Sequence, residues 1–442
     1  MFTKVELRRL IVPLVLEQLL AVAVGMADTI MISSVGEAAV SSISLVDNIN
    51  VLLINIFAAL ATGGAVVIGY RLGGNDQDGT NQVAEQLYLV TIVLSVVIMG
   101  CLLLGRGFIL TVVFGDIAAD VMSNAQTYLI ITSFAVPFIA IYNAGAAVFR
   151  STGNSKLPMK LSFLMNGINV IGNAILIYGF RCGVEGAAIP TLVSRIVVAV
   201  IITTLLCNPK LTVYLGSIKS WRIDLGVIRR ICSIGIPTGV ENGLFQLGKI
   251  MVLSMVASFG TASITANAVA GNIAMFQIMP GMAIGIATIT VISRCMGAGN
   301  IEEVKYYKKL LMKYTHAGMI GMNLLVMIAL PFILRIYHLS EETASMTREV
   351  VIYYGIFCMI VWPTSFLVPN VLRATGDAVY PMVISMLSMW ICRIGFSYLL
   401  GVVWNMGLFG IWVSMTLDWV ARAICFTVRY KRGKWERNAL VR

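Results

Sequence analysis

The feature that most limits this chain is a succession of twelve long apolar runs. They fall near residues 11–33, 47–70, 86–105, 126–149, 158–180, 186–207, 231–257, 266–293, 311–334, 350–371, 381–403 and 408–428. Each offers about the 20 residues that a helix needs to cross a bilayer. Backbone N–H and C=O groups find no water in hydrocarbon, so a spanning segment is either a helix or a strand of a closed barrel. The sequence has none of the alternating ten-residue segments of a barrel. The reading is therefore an all-α integral membrane protein with twelve transmembrane helices. Composition agrees: 58% of the 442 residues are hydrophobic and only 12% are charged, about half the roughly 25% of soluble domains.

The charges that remain report topology. There are 32 Lys and Arg against 21 Asp and Glu, a net charge of +11. In a soluble protein this would suggest nucleic acid binding, but here the basic residues sit in short connections between apolar runs. With both termini assigned to the cytoplasm, 24 basic residues fall on the inside, among them Lys305, Lys308, Lys309 and Lys313. Only 4 fall outside: Arg106, Arg181, Arg335 and Arg348. This positive-inside bias predicts a multi-pass protein of the cell membrane with cytoplasmic termini, lipids as partners and no nucleic acid. The first run follows Lys4, Arg8 and Arg9. It is too long for a signal-peptide core and contains Glu17 and Asp28, so it is expected to be a retained helix. The 8 Cys form no Cys-x-x-Cys pair and there are 2 His, which argues against a disulfide framework or a histidine-rich metal centre. No Ser/His/Asp set or phosphate-binding glycine loop is visible, so neither an enzyme nor a cofactor is expected.

The chain also repeats itself. At an offset of 224, Pro13 and Glu17 meet Pro237 and Glu241, Gly36 meets Gly260, and Gly73 meets Gly297. At 223, Arg150-Ser151-Thr152-Gly153 meets Arg373-Ala374-Thr375-Gly376. Two six-helix lobes follow, residues 1–215 and 216–442. Because six is even, they have the same orientation, as in transporters built from parallel repeats.

At this point the motifs resemble one known family, the multidrug and toxic compound extrusion (MATE) transporters. They are Pro13-(x3)-Glu17, Ala27-Asp28-Thr29-Ile30-Met31, Arg71-Leu72-Gly73-Gly74-Asn75, Arg150-Ser151-Thr152-Gly153, the Asn166–Asn173 segment and Gly183-Val184-Glu185-Gly186. The resemblance covers essentially the whole chain. It implies a V-shaped pair of lobes around a central cavity. It also implies export of amphipathic, cationic or zwitterionic small molecules in exchange for Na+ or H+. Matched residue by residue, it assigns ion coupling to Asp28, Asn169, Asn173 and Thr191, with Na+ as the candidate metal. Some relatives carry a carboxylate at the position of Asn173. The rival readings are a lipid-linked precursor flippase of the same superfamily and, in another class, a channel or sensor. The protein is expected to act as a monomer.

Ionisable groups at membrane depth are costly and usually face a bundle interior or a cavity. Asp28 is one, and Asn169 and Asn173 share a helix face because they are four apart. Glu17 and Glu241 are repeat partners near the inner ends of their spans. They are candidates for gating or substrate contact, or else carboxylates solvated at the mouth or paired with an arginine. Lys249 lies two turns above Glu241, with Gln246 between them. Asp418 and Arg422 have the spacing of an intrahelical ion pair, which Arg393 can join as a structural lock. Arg195 has no close sequence partner. Met275 and Met279, at helical spacing, are candidates for an adaptable substrate surface. Pro280-Gly281 is expected to bend the eighth span, Trp362-Pro363 and Pro369 to break the tenth, and Gly281-(x3)-Gly285 to allow close packing.

Overall fold

The computed structural model describes residues 2–114, 118–217 and 221–439, which leaves Lys219 and Arg442 of the basic count outside the described residues. The described residues contain no strand. Their helices in order are α1 Lys4–Ser33, α2 Glu37–Gly73, α3 Gln77–Phe114, α4 Ala119–Ser151, α5 Lys156–Ala174, α6 Glu185–Leu206 and α7 Leu225–Ala257. There follow α8 Thr261–Gly297, α9 Ile301–Ile336, α10 Glu341–Ile360, α11 Trp362–Ala374, α12 Val379–Ser388 and α13 Gly407–Lys431. Joining α10 to α11 reduces these thirteen to twelve rods. The α5 helix runs on through a π-helical turn, Ile175–Gly179, and α12 continues through π-helical Met389–Gly395 and Ser397–Val403. The α10 and α11 helices form one rod bent by 46°. Ten rods are long and apolar enough to cross a membrane, and the bent pair makes eleven. The α7 rod falls short of that test because Glu241, Asn242, Gln246 and Lys249 interrupt its apolar run.

Several helices extend well beyond the apolar runs. The α2 helix starts at Glu37 rather than near 47, and α9 starts at Ile301 rather than near 311. Hydropathy reports the length inside hydrocarbon, whereas the end of a helix is set by its cap. Asn300 Oδ1 accepts from the Glu303 N–H at 3.1 Å, and Asp76 Oδ1 accepts from the Gly79 N–H at 2.9 Å. These two caps are repeat equivalents. So are the π-turn bonds from Phe180 N to Ile175 O (3.1 Å) and from Trp404 N to Leu399 O (2.9 Å). The left-handed residues that follow them match as well, with φ of 55° at Arg181 and 53° at Asn405.

The chain divides into two compact units within α7, between Gly239 and Val240. The sequence repeat places its division earlier, at 215/216. Small residues explain why the first turns of α7 pack with the first unit. A Cβ on Gly235 would lie 3.0 Å from Leu60 Cα, and one on Gly63 would meet the backbone of Ile231 and Gly235. Here α2 and α7 touch almost backbone to backbone. In the first unit the core gathers Phe57, Leu129 and Val136 in one cluster, and Ile68, Leu87 and Ile202 in another. In the second unit it gathers Val269, Tyr354, Trp412 and Trp419.

Within the second unit, α8 continues as one helix through Pro280 and Gly281. The break comes at Val361, with Pro363 in the first turn of α11, where a missing N–H costs nothing. Gly281 serves a different purpose. A Cβ there would run into the Trp362 ring, and one on Gly285 would lie 2.8 Å from Asn370 Nδ2. The paired glycines let α11 close on α8.

Candidate ion-coupling site

In the first unit, Asp28 of α1 meets polar side chains from α5 and α6. Asn173 Nδ2 donates to Asp28 Oδ1 at 3.1 Å and to Asn169 Oδ1 at 3.3 Å. Asn169 Nδ2 lies 2.9 Å from Thr191 Oγ1, which itself donates to the Ala187 carbonyl at 2.9 Å. The Asn169 amide also fits the other way round. Its nitrogen then lies 3.1 and 3.2 Å from the two Asp28 oxygens and its oxygen accepts from Thr191. That orientation turns two amide nitrogens toward each other at 3.3 Å, whereas the first sets the amide oxygen against both Asp28 oxygens. Asn173 Oδ1 is buried and accepts no hydrogen bond from any described residue. The four residues assigned through the family resemblance therefore form one cluster.

Sequence reasoning missed the second carboxylate beside them. Asp47 of α2 accepts from Asn50 Nδ2 and from Tyr128 Oη, each at 3.2 Å. It lies close enough to Asp28 and to Arg195 for charge to act between them. Arg195 likewise lies within electrostatic reach of Asp47 and Tyr128. Asp47 went unnoticed because hydropathy placed it at the edge of a span, while α2 begins ten residues earlier. The polar spacing of Asp47 and Asn50, three apart on one helix face, was the available signal.

Glu17 and Glu241 are neither free nor solvated. Arg150 Nη2 of α4 lies 2.6 Å from Glu17 Oε1, with both side chains largely buried. Arg373 Nη2 of α11 lies 2.5 Å from Glu241 Oε2, and Arg373 Nη1 donates to Asn370 Oδ1 at 2.7 Å. The counter-ion of Glu241 is thus Arg373, and not Lys249 two turns above it. The Asp418–Arg422 pair of α13 is present at 2.9 Å, and Arg393 Nε stands 4.0 Å from Asp418 Oδ2. Arg422 also donates to Ser388 Oγ and to the Ser385 carbonyl.

The MatE family model matches residues 13–175 and 237–399, one match for each six-helix repeat. The chain belongs to the MatE family. As a MatE protein it is a multi-pass membrane transporter and not an enzyme. A probable multidrug resistance protein, NorM, of Thermotoga maritima is 24% identical, over 99% of this chain and 94% of its own length. An uncharacterised transporter of Bacillus subtilis, YisQ, is 26% identical, over 96% of this chain and 93% of its own. Among solved structures, a MOP superfamily transporter from Pyrococcus furiosus superposes with a TM-score of 0.90 at 20% identity, covering 97% of this chain and 95% of that one. That likeness shows the fold, and a MATE structure in the bent conformation shares it at the same TM-score.

Three further candidates of this MatE protein sit apart. Met275 is 55% exposed, but Met279 is only 2% exposed. Of the two, which share one face of α8, only Met275 presents an accessible surface in this structure. Gln246 is half-buried on α7, one residue after Phe245.

Proposed function

We propose that this MatE protein is a cation-coupled antiporter that exports amphipathic small organic molecules, cationic or zwitterionic, by alternating access. The coupling ion is Na+ or H+, and the coupling site is Asp28 with Asn169, Asn173 and Thr191. The observation that carries this reading is the Asp28–Asn173 hydrogen bond beside the unpaired Asn173 Oδ1. An antiporter needs an ion that binds one conformation better than the other, since equal affinity shifts nothing. A carboxylate that joins α1 to α5, in a cluster that reaches α6 through Thr191, can supply that difference, because taking up an ion alters its bonds to α5.

The amide oxygens suit either ion. With its nitrogen toward Asp28, Asn169 stabilises the bare carboxylate; reversed, it offers an oxygen. A carboxylate with amide and hydroxyl oxygens is the donor set a hard cation prefers, and the same carboxylate can take a proton. The names of relatives described as multidrug resistance proteins support efflux of organic molecules as the task. The 24-to-4 basic bias supports a cell-membrane location with cytoplasmic termini, and small-molecule substrates and lipids are the partners of a monomer.

The test is substrate flux in proteoliposomes under an imposed Na+ gradient and an imposed H+ gradient in turn. Wild-type protein should export under one of them, and Asp28→Asn should abolish that export while remaining monodisperse. Export by Asp28→Asn at the wild-type rate would overturn the coupling assignment.

A further inference from the structure

The second unit holds a concentration of positive charge that the ion-coupling cluster does not use. Three cations surround one aromatic ring. Lys249 Nζ lies 5.3 Å from the centroid of Phe245, the Arg393 guanidinium 4.8 Å and the Arg422 guanidinium 5.5 Å. They come from three elements: α7, the π-helical stretch after α12, and α13. The approach of α7 to that stretch is fixed by Gly248, whose Cβ would lie 3.1 Å from Met389 Cγ.

The charges do not balance. Asp418 is fully buried and is engaged by Arg422 at 2.9 Å. Glu241 is engaged by Arg373 at 2.5 Å. Arg393 is 6% exposed and its nearest carboxylate oxygen, 4.0 Å away, belongs to the already paired Asp418. Among the described residues Lys249 has no carboxylate within ion-pair distance, and the charge acting on it is that of Arg393. Four cations thus share two carboxylates. Buried charge is expensive unless paired, and a ring face compensates a cation only in part. Lys249 is the exposed member of the set, so it is the one a ligand can reach.

We propose that Lys249, backed by Arg393, binds the anionic group (carboxylate, sulfonate or phosphate) of an amphipathic molecule, so that the cargo of this MatE protein bears a negative charge. The inference rests on the transporter reading and revises its substrate class, from cationic or zwitterionic to zwitterionic or anionic. Phe245 holds the cations in place, and Asp418 with Arg422 positions Arg393 behind the contacting lysine.

The experiment measures binding without any ion gradient, so its outcome is independent of coupling at Asp28. Full-length protein in phosphatidylcholine nanodiscs is titrated with dansylglycine, an amphipathic carboxylate, and with dansylcadaverine, an amphipathic cation, with empty nanodiscs as reference. Fluorescence anisotropy should show dansylglycine bound about tenfold more tightly, the ratio that one charge-assisted hydrogen bond supplies. Lys249→Gln should erase that preference and Lys249→Arg should keep it. A second arm adds phosphatidylglycerol to the nanodiscs. Displacement of dansylglycine in wild type would identify a lipid headgroup as an occupant of the site, and no displacement would identify a soluble amphipathic anion; both support an anion site. Tighter binding of dansylcadaverine by the wild type would overturn the proposal. So would unchanged dansylglycine affinity in a Lys249→Gln protein that elutes and melts like wild type.

Discussion

Arg150 donates from Nη2 to Glu17 across 2.6 Å, joining the penultimate residue of α4 to the middle of α1. The second unit repeats the bond between Arg373 and Glu241, each member displaced by the repeat offset. Both pairs are monodentate, and Arg150 Nε and Arg373 Nε are buried without acceptors among the described residues. These are struts between helices. Glu17→Gln keeps the shape and removes the charge. It should cost about 1.5–3 kcal/mol, as expected for a hydrogen bond between charged groups, and should lower the thermal midpoint in detergent. The double variant Glu17→Gln with Arg150→Met should recover part of the loss, because no charge is then left buried alone. An unchanged midpoint in both single variants would mean that the pair holds nothing.

The two asparagines should matter less than the carboxylate. Asn169→Ala and Asn173→Ala each remove one neutral ligand, worth about 0.5–1.5 kcal/mol, so gradient-driven export should fall by no more than about tenfold. Loss as complete as that of Asp28→Asn in the same flux assay would mean that the amides form the site itself.

Asp47 should be coupled to Asp28. Tyr128 donates to Asp47 at 3.2 Å, and Tyr128→Phe removes that bond alone. The concentration of Na+ or H+ needed for half-maximal export should then shift, with the maximum rate less affected. A change in maximum rate only would separate Asp47 from ion binding.

Gly281 and Gly100 should respond in opposite ways to alanine. A methyl group on Gly281 would strike Trp362, whereas nothing lies within 4 Å of the position a Gly100 Cβ would take. Gly281→Ala should destabilise by about 1–3 kcal/mol through overpacking. Gly100→Ala should be neutral or stabilise by up to about 1 kcal/mol through helix propensity. Equal thermal midpoints for the two variants would refute the account of α8–α11 packing.

The connection between α2 and α3 should loosen in acid. The Gly79 N–H, and then Arg71, hold the Asp76 carboxyl below the ordinary carboxylate range. A folded-state pKa that is depressed contributes stability present above the unfolded value and lost as pH falls through the folded one. Hydrogen exchange at Gly79 and Thr80 should therefore be pH-independent in protection near neutrality and speed up, after correction for intrinsic rates, below the usual aspartate pKa. Asp76→Asn should remove that acid dependence.

The sequence by itself determined the membrane class, the number of rods and the twofold repeat, because each is written in local apolar length or in a regular offset, and the order of its motifs carried the family resemblance. That resemblance brought Asp28, Asn169, Asn173 and Thr191 together as a set; hydropathy adds that Asp28 is a charge inside an apolar run, and spacing that the two asparagines share a face. Only the tertiary structure decided which charges meet. Glu241 is closer in sequence to Lys249 than to Arg373, yet helix packing places Arg373 on it and turns Lys249 toward Phe245 and Arg393. The same holds for Asp47, whose importance depends on Tyr128 and Arg195 arriving from two other helices. Local sequence sets how far a helix extends and which residues share its face. The partner of a buried charge is set by the helices packed against that face, and these come from distant parts of the chain.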